Sequence, residues 1–250
     1  MKRFEGKTAI VTGAASGMGL CASQMLASEG ANVFMADINS EQLEREVTAI
    51  ITRNEKAFSE VCDIRDAEQI QHTIAECLRI TGRIDIIINF AGGFPARMCS
   101  LSGEETKFIH TPLDVLDWGI QVNFRAPMLF ARYSMEQMMK QKSGVIVNIG
   151  SVDGETGGAV DYAAEKSGLT YGLTKALARI GAPYGVRCCA VSPGPVLTRS
   201  AMSQMKTALG RAAEPEEVVK LVLYLCSDDA AFITGTNYNI EGGRILLNNV

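Results

Sequence analysis

A chain of 250 residues, 47% hydrophobic and 21% charged, can bury roughly three quarters of its unfolded surface in one large α/β domain. A formal net charge of -4 without a cationic run argues against nucleic-acid and anionic-membrane surfaces, leaving small molecules as the expected partners. Seven Cys with no CxxC pair, two His at 72 and 110 away from any ligand cluster, no apolar stretch of about 18 residues and no leader-like N-terminus imply reduced thiols, no metal, no membrane span and a cytoplasmic setting.

Strand and helix patterns alternate from the start. Thr8 to Val11 reads as a strand, Met18 to Glu29 as a helix and Asn32 to Ala36 as a strand; Glu41 to Arg53 reads as a helix with Ser40 as its N-cap. Further strands are expected at Phe58 to Cys62, Ile84 to Ile88, Val145 to Ile149 and Val186 to Val191, with helices between them. Such alternation predicts a doubly wound parallel sheet, a Rossmann fold with helices on both faces, whose ligands bind beyond the carboxyl ends of the strands.

The turn after the first strand, Thr12 to Gly19, spaces its glycines as GxxxGxG. Gly13, Gly17 and Gly19, with Ser16 and Met18 between them, are suited to tight turning and to close approach of backbone to a pyrophosphate at a helix N-terminus. Asp37, followed by Ile38, ends the second strand, where a carboxylate accepts bonds from both hydroxyls of an adenine ribose and repels a 2'-phosphate. No Lys or Arg lies in the turn or just after Asp37, so NAD is expected in preference to NADP. Asp63, followed by Ile64, and Asn89, followed by Phe90, Ala91 and Gly92, extend this row of strand ends as parts of a cofactor wall.

A helix is expected from about Val115 to Lys140, and within it Pro127 has no N–H for the carbonyl of Asn123 four residues earlier. Ser151 closes the apolar run Val145 to Ile149, and Tyr162 and Lys166 follow at helical i, i+4 spacing on one face. An ammonium about 4 Å from a phenol is worth roughly 4 kcal/mol at an intermediate dielectric, against about 1.36 kcal/mol per pKa unit. That is enough to bring the phenol within reach of neutral pH, so a Ser, a Tyr and a Lys so arranged can hold a carbonyl and move a proton to or from it.

Taken together, these elements resemble a classical short-chain dehydrogenase/reductase over essentially the whole chain. Thr12-Gly13-Ala14-Ala15-Ser16-Gly17-Met18-Gly19 resembles the family's TGxxxGxG turn, Asp37 its NAD-type acid, Asp63 its adenine-contacting Asp and Asn89 the first residue of its NNAG element. Asn123, Ser151, Tyr162 and Lys166 resemble its catalytic tetrad, and Ser192 to Thr198, with Pro193, Val196 and Thr198, its nicotinamide-contacting PG motif. Ile240-Glu241-Gly242-Gly243 resembles its V-D-G-G close. The resemblance implies a single domain with a cofactor half over 1–92 and a catalytic half over 93–250, and NAD-dependent interconversion of a secondary alcohol and a ketone. It also implies a proton relay through water held by the backbone of Asn123, and a homotetramer to which Tyr171, Leu173, Leu177, Leu221, Leu225 and the tail Ile245-Leu246-Leu247 could contribute.

Departures from the pattern bear on substrate. Phe90 replaces an Asn, with local repacking expected; Ser151 and Tyr162 are eleven apart, about two fewer than the family norm; Gly93 to Asp117 is long and Thr198 to Arg211 short. Phe94, Met98, Met202, Met205 and Leu209 suggest an apolar pocket, and Asp153, Glu155 and Asp161 disfavour an anionic substrate. Steroids, other alicyclic alcohols and polyols come ahead of acyl-carrier thioesters. The alternatives are an NAD-binding redox regulator without turnover, or a reductase or epimerase of another substrate class.

Overall fold

Seven short strands pair side by side in a computed structural model that describes residues 2–95 and 108–247. They are β1 (Thr8–Thr12), β2 (Asn32–Asp37), β3 (Lys56–Val61), β4 (Ile86–Asn89), β5 (Gly144–Ile149), β6 (Val186–Pro193) and β7 (Asn237–Ile240). All pairings are parallel, in the order β3-β2-β1-β4-β5-β6-β7. The order reverses between β1 and β4, so the crevice at their carboxyl ends is where a ligand fits.

Central strands bury both faces, which is why they read as unbroken apolar runs. Ile10 of β1 packs with Phe34, Ile87, Ile146 and Phe130 on one side of the sheet, whereas Val11 packs with Met35, Val147, Val191 and Val222 on the other. Below the crevice a polar chain crosses the sheet: Asn89 Nδ2 donates to Asn148 Oδ1 at 2.8 Å, and Asn148 Nδ2 donates to Thr174 Oγ1 at 3.0 Å. Phe90 packs against the apolar core, as its replacement of an amide by a ring leads one to expect, and Asn89 Oδ1 has no partner among the described residues.

The helices are α1 (Gly17–Ser28), α2 (Ser40–Ile51), α3 (Ala67–Thr81), α4 (Leu113–Ile120), α5 (Ala126–Gln141), α6 (Asp153–Thr156), α7 (Val160–Ser167), α8 (Thr174–Gly181) and α9 (Pro215–Cys226). Two expectations are corrected. The cap of α2 is Asn39, whose side chain accepts from Gln42 N–H at 3.1 Å, and Ser40 is the first helical residue. The helix expected over Val115 to Lys140 is helical throughout but not uniform: α4 passes into a π turn at Gln121–Arg125, where Ala126 N–H bonds to Gln121 O, and then into α5. Pro127 follows in the first turn of α5, where its missing N–H is tolerated. A second π turn, Gly168–Leu173, joins α7 to α8.

Of the residues considered for subunit contacts, Leu225 and Leu177 are buried in the core, whereas Tyr171, Leu246 and Leu247 are exposed. Six cysteines among the described residues are free thiols. No helix among them is long and apolar enough to cross a membrane.

Candidate active site

The site begins where β1 ends. Gly13 and Gly17 adopt positive φ (66° and 55°), and a Cβ on Gly13 would stand 3.0 Å from the Ala91 backbone. At Gly19 a Cβ would fall 2.2 Å from Gly13 O. Only hydrogen fits between the first turn of α1 and the strand end, so the glycine spacing follows from sterics. Thr12 Oγ1 accepts from Ala91 N–H at 3.0 Å and ties the turn to the end of β4. The first turn of α1 has no acid and no side-chain cap, which leaves its N–H groups and dipole available to an anion.

Asp37 sits at the lip of this turn. Oδ2 accepts from Ala15 N–H and Oδ1 from Asn39 N–H, both at 3.0 Å, and a carboxylate retains about two further acceptor positions. Asp63, across the mouth, is held by Arg65 through two ring-closing bonds, Nη2 to Oδ2 at 2.5 Å and Nε to Oδ1 at 3.0 Å. The guanidinium holds the Asp63 carboxyl below its usual range.

Ser151 follows β5 by two residues, and its Oγ accepts from Asp153 N–H at 3.2 Å, where α6 begins. Tyr162 and Lys166 lie one turn apart on α7, with Lys166 Nζ 5.6 Å from the centre of the Tyr162 ring. Phe94 meets that ring edge-on at 5.2 Å. Lys166 Nζ donates to Ile149 O at 2.8 Å, and burial pushes its pKa down to about 8, opposed by the negative charge of Glu165. Glu165 is itself pushed up to about 7 by burial, against the pull of its bond from Asn123.

One cavity of about 850 Å³ takes in the turn, the strand ends and the Ser, Tyr and Lys. Gly13, Ser16, Met18 and Gly19 line it at one end, with Asp37, Ile38, Asp63 and Ile64 beside them; Ala91 and Gly92 line the middle, and Ser151, Tyr162, Lys166, Pro193, Val196 and Thr198 the other end. Three residues expected at the site lie off its wall. Gly17 faces Thr198 from behind the turn, Asn89 is buried on Asn148, and Asn123 is fully buried beneath Gly93. Of the residues expected to form an apolar pocket, Phe94, Met202 and Met205 line the cavity, Leu209 is exposed, and Met98 lies outside the described residues.

Profile comparison matches residues 13–244 to the family described as enoyl-(acyl carrier protein) reductase. The chain belongs to the classical short-chain dehydrogenase/reductase family. It is 34% identical to the 3-oxoacyl-(acyl-carrier-protein) reductase FabG of Thermotoga maritima, over 98% of this chain and 100% of that one. It is 32% identical to the oxidoreductase UcpA of Salmonella typhimurium, over 98% and 97%. A short-chain type dehydrogenase/reductase from Mycobacterium marinum superposes with a TM-score of 0.87 at 29% identity, over 96% of each chain. As a short-chain dehydrogenase/reductase, the protein is an oxidoreductase of a family that works with nicotinamide cofactors on small molecules.

Residues that the motifs of this short-chain dehydrogenase/reductase did not announce also meet here. Arg65, Trp118, Asp153, Arg199 and Arg244 line the cavity, and Glu165 lies behind it. Glu165 carried a legible signal, since residues three apart on a helix share a face and Tyr162 already fixes which face looks inward. Arg244 stands only four residues after the end of β7, behind Gly242 and Gly243, and no motif reaches it.

Proposed function

We propose that this enzyme is an NAD(H)-dependent oxidoreductase interconverting a secondary alcohol and a ketone, with Tyr162 as general base in oxidation and general acid in reduction. The observation that carries the reading is the meeting of Tyr162, Lys166 and Ser151 with a glycine cradle in one cavity large enough for a dinucleotide and a small substrate. The cradle fits the cofactor: positions 13 and 19 admit no Cβ, and the helix N-terminus behind them is uncapped. When bound, a nicotinamide dinucleotide supplies the hydride acceptor or donor.

The chain's own residues do the rest. Gly13, Ser16, Met18 and Gly19, backed by Gly17, would cradle the pyrophosphate. Asp37 and Ile38 would take the adenosine ribose, Asp63 and Ile64 the adenine, and Ala91, Gly92, Pro193, Val196 and Thr198 the nicotinamide end, with Asn89 bracing the strand beneath. Ser151 Oγ orients the substrate oxygen and stabilises charge on it. Tyr162 removes the hydroxyl proton, or returns it, and the positive charge of Lys166 favours the phenolate. Asn123 fixes the helix and loop around Lys166. Residues 1–92 thus form the cofactor half and 93–250 the catalytic and substrate half, which also meets the nicotinamide, within one domain.

Asp37 supports NAD over NADP, since a 2'-phosphate would approach a carboxylate that has no cationic partner beside it. Steroids, other alicyclic alcohols and polyols fit a substrate end walled by Phe94, Met202 and Met205. A second reading, reduction of a 3-oxoacyl thioester with NADPH, draws on the similarity to the Thermotoga maritima reductase. Absorbance assays with NADH and NADPH over a panel of alcohols, ketones and 3-oxoacyl thioesters separate the two. Turnover of ketones with NADH, abolished in Tyr162→Phe while NADH still binds, is expected; thioester turnover with NADPH alone favours the second reading. By family analogy we take the enzyme to be a cytoplasmic homotetramer, for which sedimentation across protein concentration is the test.

A further inference from the structure

Glu165 lies on α7 between the two residues that carry the chemistry, and it is 6% exposed. Its Oε2 accepts a 2.7 Å bond from Asn123 Nδ2, while Oε1 is buried without a partner among the described residues. A buried carboxyl with one oxygen unmet costs stability, so packing alone is better served by an apolar side chain. The neighbouring helix nevertheless makes room for it. A Cβ at Gly119 of α4 would stand 2.2 Å from Glu165 Oε1 and 2.7 Å from Pro95 Cγ.

Asn123 passes the contact on to the cavity wall. Its Nδ2 also donates to Gly93 O at 2.8 Å, and its Oδ1 accepts from Gly93 N–H at 3.1 Å. The same Oδ1 comes within 2.6 Å of where a Cβ on Gly92 would be, and Lys166 Nζ lies 3.7 Å from that point. One residue beyond Gly93, the Phe94 ring rests against the ring of Tyr162. A line of contacts therefore runs from Glu165 through Asn123 to the backbone beside Lys166 and Tyr162.

We propose that Glu165 is a positioning residue for the reaction: its carboxylate locks Asn123 against the Gly92–Gly93 backbone and holds Lys166 in its charged form. This deepens the reading of Tyr162 and Lys166 given above and rests on it. The electrostatics agree in direction. Ionised Glu165 raises the proton affinity of Lys166 against the effect of burial, and Glu165 titrates near 7 under the opposing influences of burial and Asp161 on one side and Asn123 and Lys166 on the other. The charged groups acting on it are thus Asp161 and Lys166, both of α7; α4, the π turn and the loop after β4 face it with Gly119, Asn123 and Pro95, none of which titrates. As pH falls through about 7, the charge-assisted lock becomes a neutral one and Lys166 loses its counter-charge.

The test reads the lysine directly. In protein labelled at lysine Cε, the Lys166 resonance gives a deprotonation midpoint, which Glu165→Gln is expected to lower by about one pH unit. In the wild-type protein the same resonance is expected to show a smaller step at the Glu165 midpoint, so the measurement stands even if the variant does not fold. An unchanged midpoint in Glu165→Gln, or no such step in the wild type, overturns the proposal. These readouts need no turnover, so failure of the Glu165–Lys166 coupling is distinguishable from failure of the functional reading, which absence of alcohol or ketone activity would show. With a working assay, the limb of the kcat/KM profile set by loss of the Lys166 charge should move down in Glu165→Gln by the same amount as the lysine midpoint; Glu165→Ala should lose about tenfold in kcat at every pH, as Asn123 comes loose. A limb that stays in place in Glu165→Gln also overturns it.

Discussion

Lys166 Nζ donates a 2.8 Å hydrogen bond to the carbonyl of Ile149, the last residue of β5, and so ties α7 to the strand that Ser151 follows. That bond offers a buried ammonium one backbone acceptor, and burial lowers its pKa from 10.5 to about 8. With the folded value below the unfolded one, the buried charge destabilises the fold in full below about pH 8, and the cost is relieved as pH rises from 8 toward 10.5. Lys166→Met is therefore expected to be inactive yet more stable than wild type at neutral pH. In urea titrations its advantage should shrink by up to about 1.4 kcal/mol per pH unit across that window.

Asp37 holds two backbone N–H groups and stands where an adenosine ribose would lie. Asp37→Ala removes an acceptor for the ribose and a repulsive charge against a 2'-phosphate. Fluorescence titrations with NADH and NADPH should show NADH binding weakened at least tenfold and the preference for NADH over NADPH reduced about a hundredfold. An unchanged ratio would show that another group sets the preference.

Gly119→Ala places a methyl group 2.2 Å from Glu165 Oε1, an atom whose side chain is already anchored to Asn123 and cannot swing clear. Overpacking of this kind typically costs about 1–3 kcal/mol. The double variant Gly119→Ala, Glu165→Ala should lose less stability than the sum of the single variants, as measured by denaturant midpoints.

Asn148 occupies the centre of the sheet, accepting from Asn89 and donating to Thr174. Asn148→Ala strands the Asn89 amide in a dry interior and removes the donor to Thr174 Oγ1, which keeps its own 2.8 Å bond to Leu169 O; the expected loss is about 2–4 kcal/mol. Thermal unfolding should show the loss, and NADH affinity should fall with it, because Asn89 ends the strand from which Ala91 and Gly92 reach the cavity.

Sequence reading found what is local. The glycines at 13 and 19 announce a close approach of backbone because no other residue survives it, and Tyr162 and Lys166 announce a shared face by their spacing. Less was legible where two local answers were equally good. Asn39 and Ser40 are both competent helix caps, and only the packing of α2 decides between them. Pro127 marked the place where the helix ladder fails, but not that the turn before it widens rather than kinks. The partners of Asn123 are set by contacts thirty and forty-two positions away in the chain, through Gly93 and Glu165, and no spacing rule reaches that far. Arg65 neutralises Asp63, a pairing two residues apart that motif matching passes over because the motif asks only for the acid.

The wide turn at Gln121–Arg125 also has an evolutionary face. A helix advances about 100° per residue, so a turn holding one extra residue rotates everything before it relative to everything after it. Asn123 reaches Gly93 while α5 keeps Phe130 and Met138 in the core only because that surplus residue is present. The surplus makes this stretch intolerant of length change. Deleting any one residue between 121 and 125 would leave composition and polarity almost untouched and yet turn α4, with Trp118 and Gly119, about a quarter of a revolution away from the cavity it helps to enclose.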